Sequence, residues 1–355
     1  MHISLITAAQ LDAPLQARWR ALQADPPALQ SPYFTPEFTL AVAAVRDDVR
    51  IAVMEQDQRV VGFFPFQTRW GMGLPVGGCL SDHHGVVCAP GTTWHWPALL
   101  RAARLTSWRF DHLPREQAPP GANIGPCESP GLDLSQGMAT YLVGRRAQGV
   151  RRLAELDRKA RKLAREVGPL RLEAHTCDLQ VLQTVIRLKS QQCRRTGTPD
   201  FFAQRWVRAL VEQICALQGP HFSGRLSALY AGDHLVGAHL GMRSARVWHW
   251  WFPVYDSSFA AYSPGGLLLL RVAQAAADQG HALLDLGKGD DPYKRSFADC
   301  SLPLAQGWVA RPSITSGWLA ALTGARQWLR TCALVQPLRP LVRRMRRLGA
   351  GPADT

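Results

Sequence analysis

Lysine, aspartate, tyrosine and arginine crowd into one short stretch, Gly287-Lys288-Gly289-Asp290-Asp291-Pro292-Tyr293-Lys294-Arg295-Ser296-Phe297. Lys288, Lys294 and Arg295 offer cations to a phosphate or an anionic substrate, or else are merely solvated. The stretch follows the apolar run Ala282-Leu283-Leu284-Asp285-Leu286, which reads as a buried strand. Loops after strands are where α/β proteins place their chemistry. A second stretch, Tyr262-Ser263-Pro264-Gly265-Gly266-Leu267-Leu268-Leu269-Leu270, has the makings of an anion site. It follows the aromatic strand Val247–Phe252 and opens a helix that ends at Gly280. The free N–H groups and positive dipole end of such a helix attract phosphate, and adjacent glycines let it come close. Pro and Gly also simply start helices, so the local signal fits either use.

The elements needed to hold these stretches in place are legible around them. Ile51–Glu55, a polar turn and Val60–Phe66 read as a hairpin, as do Leu226–Tyr230, a turn and Leu235–Leu240. Both have the form strand, turn, hydrophobic-Val-Gly, strand, with Gly62 matching Gly237, which suggests an internal repeat. Pro119–Gly131 is rich in Pro and Gly and reads as a linker. A basic helix is expected over 145–167, a strand over 171–175 and helices near 178–194 and 203–218. The strand histidines His239 and His249 are candidate general bases. Trp248, Trp250 and Trp251 are either core or the wall of an acceptor groove. His83 and His84 are neighbours, and neighbours on a strand point to opposite faces, so surface or satisfied histidines are expected there rather than a metal pair.

The run from Tyr262 to Phe297 resembles the signature of the CelD/BcsL-type acetyltransferases of the GNAT superfamily, relatives of the FemAB aminoacyltransferases. Members read YSPG, a Leu-rich helix, then DLG-G-D-PYK--F. Here these are Tyr262–Gly265, then Asp285, Gly287, Gly289, Asp290, Pro292, Tyr293, Lys294 and Phe297. A looser likeness extends from about Ser31 to Trp308. The resemblance implies an α/β fold of tandem GNAT-like modules, with mixed central sheets flanked by helices. The modules would be a degenerate one over 1–130 and an acyltransferase one over 131–312, followed by a tail over 313–355. It implies acetyl-CoA or another acyl-CoA as co-substrate, with pyrophosphate on the backbone around Ser263, Gly265, Gly266 and Leu267. Tyr293 would be the acid that protonates the leaving thiolate, or a ring packed under its loop. Asp285 would orient or deprotonate the acceptor, or cap the glycine turn after it, and His249 is the candidate base. Asp82, in the family-like segment Ser81–His84, would face the cleft, with Lys288, Asp290, Lys294 and Arg195 also touching the acceptor. The Gly-rich segment Gly71–Gly78 is not followed by a helix, so the first module is read as having lost cofactor binding.

Composition narrows the partners. The net charge of +14 sits in two segments: residues 145–171 hold ten bases and three acids, and residues 311–355 hold eight arginines and one acid. The rest balances, 23 against 23. Localised charge of this kind suits a polyanion or lipid headgroups. The tail alternates Trp318, Leu319, Leu322, Trp328 and Leu329 with arginines, as a basic amphipathic helix at an anionic membrane or a synthase complex would, or as a helix packed on its own domain. The eight cysteines form no CxxC pair, which argues for reduced thiols and against structural zinc. No signal-peptide pattern or membrane-spanning run is seen, so a cytoplasmic protein is expected, peripheral to the inner face of the plasma membrane where the tail docks. The resemblance points to a carbohydrate or cell-envelope precursor, such as one for cellulose or exopolysaccharide, as acceptor at N or O. The rivals are an aminoacyl-tRNA-dependent transferase of FemAB type and a non-catalytic partner of a polysaccharide synthase. No recognisable RNA-binding module is present, so nucleic acid is not expected as a partner.

Overall fold

The computed structural model describes residues 1–121, 123–289 and 291–311. Asp290 and the tail over 313–355 lie outside the described residues. The chain runs β1 (His2–Ile6), α1 (Ala13–Ala24), α2 (Pro36–Ala43), β2 (Val49–Gln56), β3 (Arg59–Arg69), β4 (Met72–Leu74), β5 (Val87–Cys88), α3 (Trp96–Ala102) and β6 (Ser107–Pro114). It continues with β7 (Ile124–Asp133), α4 (Gly137–Ala147), α5 (Arg151–Glu166), β8 (Leu170–Glu173), α6 (Leu179–Thr196), α7 (Arg205–Ala216), β9 (Ser223–Ala231) and β10 (His234–Arg243). The last elements are β11 (Val247–Tyr255), α8 (Pro264–Asp278), β12 (Leu283–Asp285), α9 (Pro292–Phe297) and β13 (Cys300–Ala310).

All these strands join one mixed sheet, in the order β1-β2-β3-β4-β6-β13-β7-β12-β11-β10-β9-β8, with β5 paired to β3. The order is palindromic. β1-β2-β3-β4-β6 mirrors β8-β9-β10-β11-β12, and in each half the last two strands are parallel and linked through a helix, α3 or α8. The two expected hairpins are β2–β3 and β9–β10. Each carries a bulge at the valine before its glycine: Val61 and Val236 are skipped in the registers Met54↔Gly62 and Leu229↔Gly237. The matching irregularity is stronger evidence of repetition than the sequence pattern that predicted the hairpins.

The two strands left over exchange halves. β7 pairs with β12 and β13, while β13 pairs with β7 and β6, all antiparallel. This corrects the reading of Pro119–Gly131 as a linker. Ile124–Asp133 is a central strand despite its prolines, which lack an N–H for the ladder; the Pro126 and Pro130 carbonyls still accept hydrogen bonds. The boundary expected at 130/131 therefore falls inside a strand. The basic helix expected over 145–167 is two helices, α4 and α5, broken at Gln148–Val150 where Gly149 takes φ +75°.

Helices cover both faces, as a largely apolar sheet requires. Phe63 meets Trp19 of α1 in a stacked pair 4.6 Å apart, and Phe64 and Trp108 pack beneath α3. α2 crosses the divide: Phe38 and Val42 share one core with Val181 and Val185 of α6, Leu210 of α7 and Phe252 of β11. α4, α5 and α8 close the other face over Leu132, Trp248 and Leu284. Trp248, Trp250 and Trp251 are all buried, so their rings serve the core.

Candidate functional site

β11 and β12 are parallel only as far as Val247↔Leu283, Trp248↔Leu284 and His249↔Asp285. β12 stops there, while β11 runs on to Tyr255. A bulge on β11 marks the parting: Trp250 and Trp251 oppose the single residue Gly241 of β10. Gly241 is obligatory, because a Cβ there would strike the His239 ring and the His249 carbonyl. His239 stacks on Trp250 with centroids 4.1 Å apart and accepts the Trp251 N–H at 3.3 Å. Burial holds its pKa well below the usual imidazole value, so it is neutral.

The open end of β11 leads to the N-terminus of α8. Ser263 caps it in the left-handed conformation, φ +54° and ψ +52°, unusual for a residue with a side chain. The Ser263 carbonyl accepts the N–H groups of Gly266 (3.0 Å) and Leu267 (3.2 Å), so these two are already committed to the helix. The Gly265 N–H points out of the first turn with no backbone acceptor among the described residues. Lys159 of α5 donates to Ser263 Oγ at 2.8 Å and brings a cation to the turn. Lys162 lies over the Tyr262 ring, whose hydroxyl donates to Glu166 at 2.8 Å. α5 docks tightly because Gly266 leaves room for it: a Cβ there would sit 3.0 Å from Leu156 Cδ2. A left-handed cap, an outward N–H, two glycines and a lysine together fit a pyrophosphate.

At the parting itself the two halves are joined by a buried polar cluster. Asp285, on the last pair of β12, is fully buried and accepts four hydrogen bonds. Oδ1 takes Ser129 Oγ of β7 at 2.5 Å and the Gly287 N–H at 2.9 Å. Oδ2 takes His83 Nε2 at 2.7 Å and His249 Nδ1 at 3.1 Å. Every lone pair of the carboxylate is used. His249 donates its other nitrogen, Nε2, to Asp82 at 3.1 Å. Asp82 also accepts the Lys288 N–H at 3.3 Å. Lys288 Nζ donates to the Ser81 carbonyl at 2.9 Å and lies 3.3 Å from Asp111 of β6. Tyr33 packs edge-on against the His249 ring, 5.0 Å between centroids, and its hydroxyl donates to the Leu80 carbonyl.

The charges follow from this geometry. Burial alone would lower the His249 pKa, but the Asp285 and Asp82 carboxylates outweigh it and lift the pKa to about 9. Burial works to raise both carboxyls. Asp82 is nevertheless brought down by the His249 hydrogen bond, and Asp285 is held well below the carboxylate range by His83 and His249. The core of the cluster is thus an imidazolium between two carboxylates. With both nitrogens engaged, His249 is a fixed positive centre in this arrangement and not a free lone pair. Gly287 sits against it at φ +71°; a Cβ there would strike Asp82 and lie 2.8 Å from His249 Cε1. Of the two alternatives expected for them, surface or satisfied, His83 and His84 take the second: both are buried and hydrogen-bonded through Nε2. His84 Nε2 accepts the N–H groups of Asp111 and His112, and burial lowers its pKa to about 3.

The remaining predicted residues lie around this cluster. Lys294, on α9, is buried with Nζ on the carbonyls of Gly287 (3.1 Å) and Lys288 (2.6 Å), so it shapes the loop. Tyr293 is half-buried against the α5–α8 core beside Trp250, and burial raises its phenol above the ordinary value. Arg195 is exposed in the last turn of α6, away from the cluster's hydrogen bonds. Ser129, His83, Asp111, Tyr33 and Lys159 were not predicted. Lys159 was within reach of sequence reasoning, since it lies three residues after Leu156 on the inward stripe of a basic helix. Among the described residues, no group of three or more His, Cys, Asp or Glu has a geometry fit for a metal ion.

Comparison with known proteins bears on the fold. Residues 150–295 match the family model described as the acetyltransferase (GNAT) domain. No curated protein matches the sequence. Among solved structures, the fold is similar to FemX, with TM-score 0.60 at 11% identity over 90% of this chain and 99% of that one. It is also similar to the C-terminal domain of a putative lysylphosphatidylglycerol synthetase from Agrobacterium fabrum, with TM-score 0.51 at 12% identity over 88% and 97%. At such identities these likenesses speak for the fold alone. GNAT domains use acetyl-CoA or another acyl-CoA as co-substrate, and the turn at Ser263–Gly266 has the donors to hold its pyrophosphate. What the comparisons show of this chain is a GNAT acetyltransferase domain match over residues 150–295 and the fold.

Proposed function

We propose that this enzyme moves an acyl group from acyl-CoA to a nitrogen or oxygen of a carbohydrate or cell-envelope precursor, as the resemblance to CelD/BcsL-type enzymes implies. The observation that carries the reading is the parting of β11 and β12 after His249↔Asp285, with the charged cluster at the parting and, beyond the end of β11, the α8 cap with its outward Gly265 N–H and Lys159. Bound acyl-CoA supplies the activated thioester. The cap holds pyrophosphate, and the parted strands take the pantetheine arm between them. Tyr293, kept protonated by its raised pKa, gives its proton to the departing thiolate. Asp285 and His249 hold the Gly287–Lys288 turn and Asp82 in place, and Asp82 with Lys288 faces the acceptor. The acceptor cleft lies where the β1–β6 half of the sheet meets the β8–β12 half. The tail over 313–355 brings the enzyme to an anionic membrane surface or to a synthase complex, where envelope precursors are assembled. No helix among the described residues is long and apolar enough to cross a membrane.

The test is transfer of label from [1-14C]acetyl-CoA into fractionated envelope precursors. Label is expected in a carbohydrate-containing fraction, and Tyr293→Phe should slow transfer roughly 100-fold at unchanged acetyl-CoA affinity. Label confined to protein or nucleic acid would overturn the acceptor class.

A further inference from the structure

The hairpin joining β3 and β4 turns on two residues. Arg69 pairs with Met72, and Trp70 and Gly71 between them both have positive φ, +51° and +74°. That is the two-residue turn whose first position calls for Asn, Asp or Gly, because a Cβ is strained there. A tryptophan is the least expected occupant. Its ring is not recovered into any core: Trp70 is 82% exposed, and its only ring partner among the described residues is the Arg69 guanidinium, 4.3 Å from the centroid. Met72 beside it is also exposed. A bulky aromatic held out from the body at a backbone cost is the mark of a surface built to be covered.

The surroundings identify the cover. Segments 68–74 and 103–109 build the tip, and they contain Arg69, Arg104 and Arg109 with no acidic residue. Thr106 fastens them together, donating its N–H (2.8 Å) and hydroxyl (3.0 Å) to the Gly71 carbonyl. Asp48 lies beside this segment, its carbonyl accepting the Thr68 N–H at 3.1 Å, but its carboxylate is taken up by Arg46 at 2.6 Å and Gln67 at 2.7 Å. The chain also leaves its last strand here, since the Arg311 N–H donates to the Thr106 carbonyl at 2.9 Å. The segment from 311 to 355, with eight arginines and one acid, therefore starts at the foot of this tip. An amphipathic ring flanked by arginines, at the origin of a basic segment with Trp and Leu interspersed, has the chemistry of the bilayer interface.

We infer that the Trp70 hairpin tip is an insertion point for an anionic phospholipid surface, with Trp70 and Met72 entering the interface and Arg69, Arg104 and Arg109 meeting headgroup phosphates. The inference concerns a face of the first half and does not rest on the acyl-transfer reading.

The test is sedimentation of the full-length protein with vesicles of phosphatidylcholine alone or with 30% phosphatidylglycerol. Binding to the anionic vesicles is expected, with little to the neutral ones. Trp70→Asn relieves the strained turn, so it should unfold at the same or higher temperature and keep its acetyl-CoA binding. It should nonetheless lose at least fivefold in partitioning to anionic vesicles. Arg104→Gln should lose a further factor of about five at low salt. Failure of the wild type to prefer anionic vesicles, or partitioning of Trp70→Asn equal to wild type, would overturn the inference. In the second case the segment after Arg311 would carry membrane binding unaided.

Discussion

Asp285→Asn is expected to cost about 3–5 kcal/mol of stability, as measured by urea unfolding. The carboxylate has no exposure and accepts from Ser129, Gly287, His83 and His249 together. The amide that replaces it has one oxygen to accept and an NH2 group that must face donors. It also leaves the His249 imidazolium with one anion in place of two. Removing one partner of a buried ion pair costs this much because the other is left charged and unmet. The loss should be felt in both halves of the fold, since His83 and Ser129 come from the first half and its exchanged strand. The control is Lys288→Met, whose ion pairs with Asp82 and Asp111 are partly exposed and should be worth less than about 1 kcal/mol. A loss below 1 kcal/mol for Asp285→Asn would mean that the cluster does not bind the halves together.

Stability should peak near neutral pH and fall on both sides, for different reasons. His249 has a folded pKa of about 9 against about 6.5 in the unfolded chain. A raised pKa means the folded state favours the proton, so its contribution is complete below pH 6.5 and is lost as pH rises through 9. Between pH 6.5 and 8.5 the loss is on the order of 2–3 kcal/mol. On the acid side the depressed groups act. His84, with a pKa near 3, and His281, near 4, are buried neutral, so unfolding is favoured as pH falls below 6.5. Asp82 and Asp285 add their share once pH drops below about 4, where the unfolded carboxyls begin to protonate. Urea midpoints across pH 4–8.5 measure the curve. The alkaline limb should flatten in His249→Gln; a limb unchanged in that variant would place the titrating group elsewhere.

The strand–turn–helix from Val247 to Gly280 and both hairpins could be read from sequence because their signals are local: alternation, turn residues and a helix that begins Pro-Gly-Gly. The site could be read only in pieces. Asp82, His249, Asp285 and Lys288 each stood out by type, but nothing local shows that residues 167 and 202 positions apart share hydrogen bonds. Their meeting depends on β7 and β13 exchanging halves. β7 was hidden because Pro126, Pro130 and three glycines or small residues around them imitate a linker, and Ser129 was hidden with it. For His83 and His84 the sequence left surface and satisfied positions both open, because the segment has no apolar pattern; their polar partners decide for the second. Lys294 looked like a ligand for an anion, but its short distance along the chain to Gly287 and Lys288 lets it bond their carbonyls first.

The most direct test is a calorimetric titration with acetyl-CoA of the wild type and of Gly265→Asp. A Cβ at Gly265 meets only the Tyr255 ring, Cδ1 at 3.4 Å and Cε1 at 3.8 Å, so the variant should fold while its carboxylate takes the place of the phosphate. Saturable binding by the wild type that is lost in Gly265→Asp is the expected result. Absence of binding to the wild type, or equal binding by the variant, would contradict the placement of the cofactor on the α8 cap. Absence in the wild type would turn attention to an aminoacyl-tRNA donor.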